Sequence, residues 1–116
     1  MSDFAVNRKD VDNISVLNIE GYLDAHTAPN FENAIKQLVD EDRNRIVVNF
    51  EQLSYISSAG LGVFMGFIED IRAKDGDIKM SNMTEKVFKI FDLLGFPSLY
   101  DILKEENEAI SKFQQV

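Results

Sequence analysis

The run Ile46-Val47-Val48-Asn49-Phe50 constrains the fold more than any other feature of this 116-residue chain. It is short, β-branched and apolar at almost every position, the pattern of a strand covered on both faces, as in parallel sheets. Further along, the period changes. Leu61, Phe64, Met65, Ile68, Ile71 and Arg72 recur at helical spacing, and Asp75-Gly76 supplies a terminator. A doubly covered strand followed by an amphipathic helix predicts an α/β sheet with right-handed crossovers and with 46–50 at its centre.

The flanking segments fit that plan. Phe4 and Val6, then Ile14, Val16, Leu17 and Ile19, alternate around the turn-like stretch Lys9 to Asn13, which predicts an antiparallel hairpin ending at Gly21. Thr27 is placed to cap a helix that Pro29 enters in its first turn, with Phe31, Ala34, Ile35, Leu38 and Val39 as its apolar stripe. Ile78 to Ser81 reads as another strand. Thr84 then caps a helix with Val87, Ile90, Phe91 and Leu94 inward, Gly95 ends it, and Pro97 blocks continuation. Leu99 to Leu103 fits either a short strand or a helical turn, and Ala109, Ile110 and Phe113 predict a last amphipathic helix.

Composition narrows the chemistry. There is no cysteine, so disulfides, thiol nucleophiles and cysteine-based metal sites are excluded, and a single histidine leaves a His-rich metal site without ligands. Twelve basic against twenty acidic side chains give a net charge of −8. That balance argues against nucleic-acid binding, which needs cations to displace the counterions of phosphates, and points to basic or neutral protein partners. No apolar run is long enough to span a bilayer, and Met1 to Asp10 lacks a signal-peptide core, so a soluble cytoplasmic protein of one domain over 1–116 is expected, with no cofactor.

The segment from Leu53 to Phe64 joins the predicted central strand to the helix after it, where ligands and partners of open α/β sheets bind. Ser57 and Ser58 fall at the helix start, where the plain role of either is an N-cap. At about 100° per residue, Ala59, Val63, Gly66 and Asp70 point away from the Leu61 and Ile68 stripe, with Phe67 on the flank. Gly60, Gly62 and Gly66 each cost a helix about 1 kcal/mol relative to alanine. Two readings of these glycines stay open: close packing against a neighbouring element, or a smooth surface for a docking protein.

Enzyme readings of the same residues fail on spacing. A nucleophile elbow needs glycine two residues before the serine, where Ile56 stands, and Asp24 and His26 share one loop in an awkward geometry for a relay. Gly60, Gly62 and Gly66 miss the dinucleotide-binding spacing by one residue. Glu105, Glu106 and Glu108 read as a solvated charge cluster at a helix start.

The segment Leu53-Ser54-Tyr55-Ile56-Ser57-Ser58-Ala59-Gly60-Leu61-Gly62 resembles the signature of bacterial anti-sigma-factor antagonists, small stand-alone STAS-domain proteins. Gly21-Tyr22-Leu23-Asp24 with Thr27-Ala28 resembles the Gly-x-Leu-Asp loop before their first helix. The resemblance implies a single STAS-like α/β domain, a small mixed sheet flanked by about four helices. It implies a binding module without catalysis, phosphorylated by an ATP-dependent anti-sigma serine kinase and restored by a metal-dependent serine phosphatase. Unphosphorylated, such a protein binds the kinase and frees the sigma factor; the alternative is a STAS scaffold or partner switch acting on a non-sigma target. Ser58, two residues before Gly60, is the implied phosphoacceptor, with Ser57 the lesser choice because it replaces the family's frequent Asp; Ala59 stands where the family often has Ser or Thr. Asp24, Ser57, Ser58, Ala59, Gly60, Gly62, Val63, Gly66 and Phe67 form the expected partner-binding set.

Overall fold

The computed structural model describes residues 3–114. A five-stranded sheet runs in the order β1-β2-β3-β4-β5: β1 (Phe4–Val11), β2 (Ile14–Leu23), β3 (Arg45–Ile56), β4 (Asp77–Ser81) and β5 (Ile102–Leu103). Only β1 is antiparallel to its neighbour, as expected of a hairpin, and the remaining pairs are parallel. The β-branched run sits in the middle strand. Ile46, Val48 and Phe50 point to one face and Val47 to the other.

Four helices cover the sheet: α1 (Ala28–Asp40), α2 (Ser58–Ala73), α3 (Glu85–Leu93) and α4 (Glu106–Gln114). The first three bury the larger core. Phe64 of α2 is its hub, with ring centroids 5.1 Å from Phe31 of α1, 5.9 Å from Phe50 of β3 and 6.2 Å from Phe91 of α3. Aromatic pairs at such distances add to area burial, so α2 is clamped although its glycines weaken it as a helix. The smaller core lies under α4, where Ile14, Val16 and Val47 meet Ala109 and Ile110.

Four expectations about these elements are corrected. β2 continues past Gly21 to Leu23 and β3 past Phe50 to Ile56, pairing through register shifts that break the polar alternation. Gly21 turns the backbone at φ 89°, and a Cβ there would lie 1.9 Å from the Asp3 carbonyl oxygen. Leu94 is not inward: α3 stops at Leu93, Gly95 turns at φ 78°, and Leu94 is exposed. Of the segment 99–103, for which strand and helical turn were both open, Ile102 and Leu103 form β5, after a 3-10 turn at Phe96–Ser98. Glu106 is not solvated; it accepts from Lys9 Nζ at 2.6 Å and from Asn49 Nδ2 at 3.0 Å.

Candidate functional site

The carboxyl ends of β2 and β3 bring the two sequence motifs together. The Ser57 N–H donates to the Leu23 carbonyl at 2.9 Å, and Ser57 holds extended backbone immediately before α2. A Cβ on Gly60 would stand 2.7 Å from Leu23 Cγ and 3.0 Å from Ile56 Cγ1. Gly60 is therefore required by close packing, which seats the first turn of α2 on the strand ends. The same probe at Gly62 and Gly66 meets nothing within 4 Å. For those two glycines the packing explanation fails, because both face open space.

The serines divide by burial. Ser58 is exposed on the first turn of α2. Ser57 occupies the N-cap position, but its Oγ makes no capping bond and is buried with no hydrogen-bond partner among the described residues. The free N–H groups at the start of α2 thus have no serine cap, and a helix N-terminus in that condition favours an anion.

Asp24 organises the loop beside them. Its Oδ1 accepts from the backbone N–H of His26 at 2.9 Å and of Thr27 at 3.1 Å. The bond from Thr27 and then that from His26 outweigh desolvation and hold the carboxyl below the usual carboxylate range. No triad forms here, because the carboxylate meets the His26 backbone. Thr27 was expected to cap α1 with its side chain; instead its hydroxyl donates to the Tyr22 carbonyl at 2.7 Å and accepts from the Asp24 N–H at 3.0 Å, so Asp24 holds the turn into the helix.

Val63 departs most from expectation. It is 6% exposed and packs in the main core, whereas Met65, assigned to the core stripe, is 63% exposed. The reason is the second neighbour of α2. One side of the helix faces the sheet through Leu61, Phe64 and Ile71, and another faces α1 through Ala59, Val63 and Phe67, so the buried arc is wider than a single stripe and turned toward α1. What stays outside is Ser58, Gly62, Met65 and Glu69, a stripe at helical spacing with Gly66 along its edge. Between α1 and α2 lies a groove of about 410 Å³, lined on the α2 side by Ala59, Gly62, Val63, Gly66 and Phe67 and on the other by Ala25, Ala28, Pro29 and Glu32.

Of the expected partner-binding set, Asp24, Ser57, Ser58, Ala59 and Gly60 belong to the strand-end loops and the first turn of α2, while Gly62, Val63, Gly66 and Phe67 continue along that helix, with Gly60 and Val63 beneath the surface. Sequence reasoning missed Met65 and the α1 wall. The position of Met65 seven residues after Ser58, on the same helical stripe, was the available signal.

The sequence model described as the STAS domain matches residues 5–109. The anti-sigma-B factor antagonist of Bacillus subtilis (strain 168) is 29% identical over 97 residues, covering 84% of this chain and 88% of that protein. The phosphorylated form of the Bacillus cell fate determinant SpoIIAA superposes with a TM-score of 0.74 at 25% identity, over 94% of this chain and 99% of that one. An anti-sigma factor antagonist from Mycobacterium paratuberculosis shares the fold with a TM-score of 0.88 at 20% identity, over 97% of this chain and 95% of that one.

Proposed function

The chain belongs to the STAS domain family, and from that premise we propose that it is a cytoplasmic anti-sigma-factor antagonist that works by binding rather than catalysis. Unphosphorylated, it docks on an ATP-dependent anti-sigma serine kinase through the N-terminal end of α2, and the sigma factor is released. The kinase transfers the γ-phosphoryl group of ATP to Ser58 Oγ, whose proton is lost as ADP leaves. A metal-dependent serine phosphatase hydrolyses the ester and restores the hydroxyl.

One observation carries this reading: Ser58 is exposed at the head of a helix whose neighbouring outward positions, Gly62, Met65 and Gly66, are uncharged and open. Burial of the Ser57 Oγ favours Ser58 over Ser57 as the acceptor. The names of the relatives support the same role. Phosphate at Ser58 would add about −1.5 to −2 charges at a helix N-terminus, which tolerates an anion, so the fold persists while the docking surface changes. Opposite the kinase's own nucleotide that charge is repelled, and the complex dissociates.

The test is incubation with each anti-sigma-type serine kinase of the source organism and Mg-ATP, followed by mass mapping. A single phosphate on Ser58, absent in Ser58→Ala, is expected; phosphate confined to Ser57, or no modification by any of them, overturns the assignment.

A further inference from the structure

The groove between α1 and α2 has features that a phosphorylation site alone does not require. Its floor is apolar, formed by the buried Ala28 and Val63 and the half-buried Phe67, with the exposed Pro29 at its side, and its α2 rim carries Gly62 and Gly66 with open space where side chains would stand. Glu32 is the one charged residue among those that line it. Glu32 is exposed and has no ion pair or hydrogen bond among the described residues. The cation one turn further along α1, Lys36, is held by Asp40 at 2.9 Å, and on α2 the exposed Asp70 adds a second negative charge one turn past Gly66.

An occupant of this groove would strip water from the Glu32 carboxylate, which is unfavourable unless the occupant brings a cation. A second copy of the chain does not meet that need, since each copy carries a net charge of −8 and would bring acidic surface to acidic surface. The absence of side chains at Gly62 and Gly66 allows a backbone to come close, and the apolar floor suits the anchors of an amphipathic helix.

We propose that the α1–α2 groove seats an amphipathic helix of the anti-sigma partner, which lies against Gly62 and Gly66 and presents a lysine or arginine to Glu32. This rests on the reading given under Proposed function and adds the chemistry of the partner's contact. Ser58 is not among the residues that line the groove, and Glu32 reaches it from the other helix, α1. The phosphoacceptor and the groove carboxylate are therefore separate features of one docking face. Phosphate at Ser58 opposes the nucleotide-bearing part of the kinase, and Glu32 selects a partner by its cation.

The experiment measures binding of wild type, Glu32→Gln and Glu32→Lys to the purified anti-sigma serine kinases of the source organism at low and high salt, with Ser58 phosphorylation followed at saturating kinase. Glu32→Gln should weaken the complex about threefold and Glu32→Lys tenfold or more, each with a flatter salt dependence and an unchanged maximal rate of phosphorylation. Wild-type affinity and salt dependence in Glu32→Lys, while the wild type binds and is phosphorylated, overturn the groove assignment and leave the antagonist reading intact. No binding of the wild type to any of these kinases overturns both. A dimer of the wild type in ultracentrifugation that Glu32→Lys dissociates would give the groove to a second copy and also overturn the proposal.

Discussion

The backbone N–H of Ser57 donates to the carbonyl of Leu23 across 2.9 Å. That single bond joins the loop motif at the end of β2 to the serine motif at the head of α2. Asp24 then continues the same turn into α1 through its bonds to the His26 and Thr27 N–H groups. The two motifs are distant in sequence and contiguous in space because parallel neighbours β2 and β3 end side by side, with Leu23 paired to Ile56. Ser58 is thus presented from a frame of backbone bonds, and its hydroxyl can change chemistry without disturbing that frame.

The first expected consequence concerns Ser58→Asp. A carboxylate at the first position of α2 meets free N–H groups and the positive end of the macrodipole, a favourable place for about 0.3–1 kcal/mol. Thermal unfolding should stay within about 4 °C of wild type, since 1 kcal/mol moves a domain of this size by roughly that much. Binding to the anti-sigma kinase should be lost. A melting point lowered by 10 °C or more would show that Ser58 is part of the packing and not a free switch position.

Val63 and Met65 are expected to behave oppositely when replaced by lysine. Val63 is packed in the core beside α1, so Val63→Lys buries an unpaired charge and should destabilise the fold by about 3 kcal/mol or more. Met65 is 63% exposed on the Ser58 stripe, and Met65→Lys should alter stability by no more than about 0.5 kcal/mol. Yet it should weaken the kinase complex about tenfold, or roughly 1.4 kcal/mol, because an apolar contact becomes a charge in an interface. Melts and titration calorimetry of both variants decide this. Equal melting points would place Val63 outside the core.

Gly62→Ala combined with Gly66→Ala separates stability from function. Each replacement removes about 0.8–1 kcal/mol of unfavourable helix propensity, and neither new methyl meets another atom within 4 Å. The double variant should melt several degrees above wild type. The same two methyls fill the rim of the groove, so the kinase complex should weaken. A variant that is both more stable and fully able to bind would leave the two glycines without a docking role.

Much of this arrangement is legible in the sequence because the local signals agree with the tertiary ones. The run 46–50 sits in a central strand where β-branched residues on both faces are buried, and the periodicity of 28–39 matches a helix with one buried side. Legibility fails where an element has two neighbours. The buried arc of α2 answers both to the sheet and to α1, so a stripe chosen for a single partner puts Met65 inside and Val63 outside. It fails again at strand ends. The register shifts between Asn18 and Glu20 and between Gly21 and Tyr22 disrupt the alternation by which a strand is recognised, and β3 outruns its apolar core as a result. Glu106 looked solvated since nothing local reveals Lys9 and Asn49, which come from other strands.

The attachment of α4 should respond to acid through Glu106. Burial pushes its carboxyl up, but the bonds from Lys9 and Asn49 outweigh that and leave it below the usual range. Asp101, bonded chiefly to Lys79 at 2.7 Å, is lowered likewise. A carboxyl whose folded value lies below its unfolded one stabilises the protein above the unfolded value, about 4.3 for Glu, and that contribution is lost as the pH falls toward the folded value. Glu106→Gln keeps a side-chain oxygen for Asn49 but gives up the charge that Lys9 meets, and Lys9 is half exposed, so solvent screening limits the loss to about 1 kcal/mol at pH 7. The variant should therefore be less stable than wild type near neutrality, and the two should converge as the pH is brought from 5 to 3. Urea unfolding at pH 7, 5, 4 and 3 measures the gap, and amide exchange at Ala109 and Ile110 reports whether α4 leaves the sheet first. Because α4 holds only a small core, those amides should lose protection before Phe64 and its neighbours do. A gap that stays constant down to pH 3 would show that the Glu106 charge does not hold the helix in place.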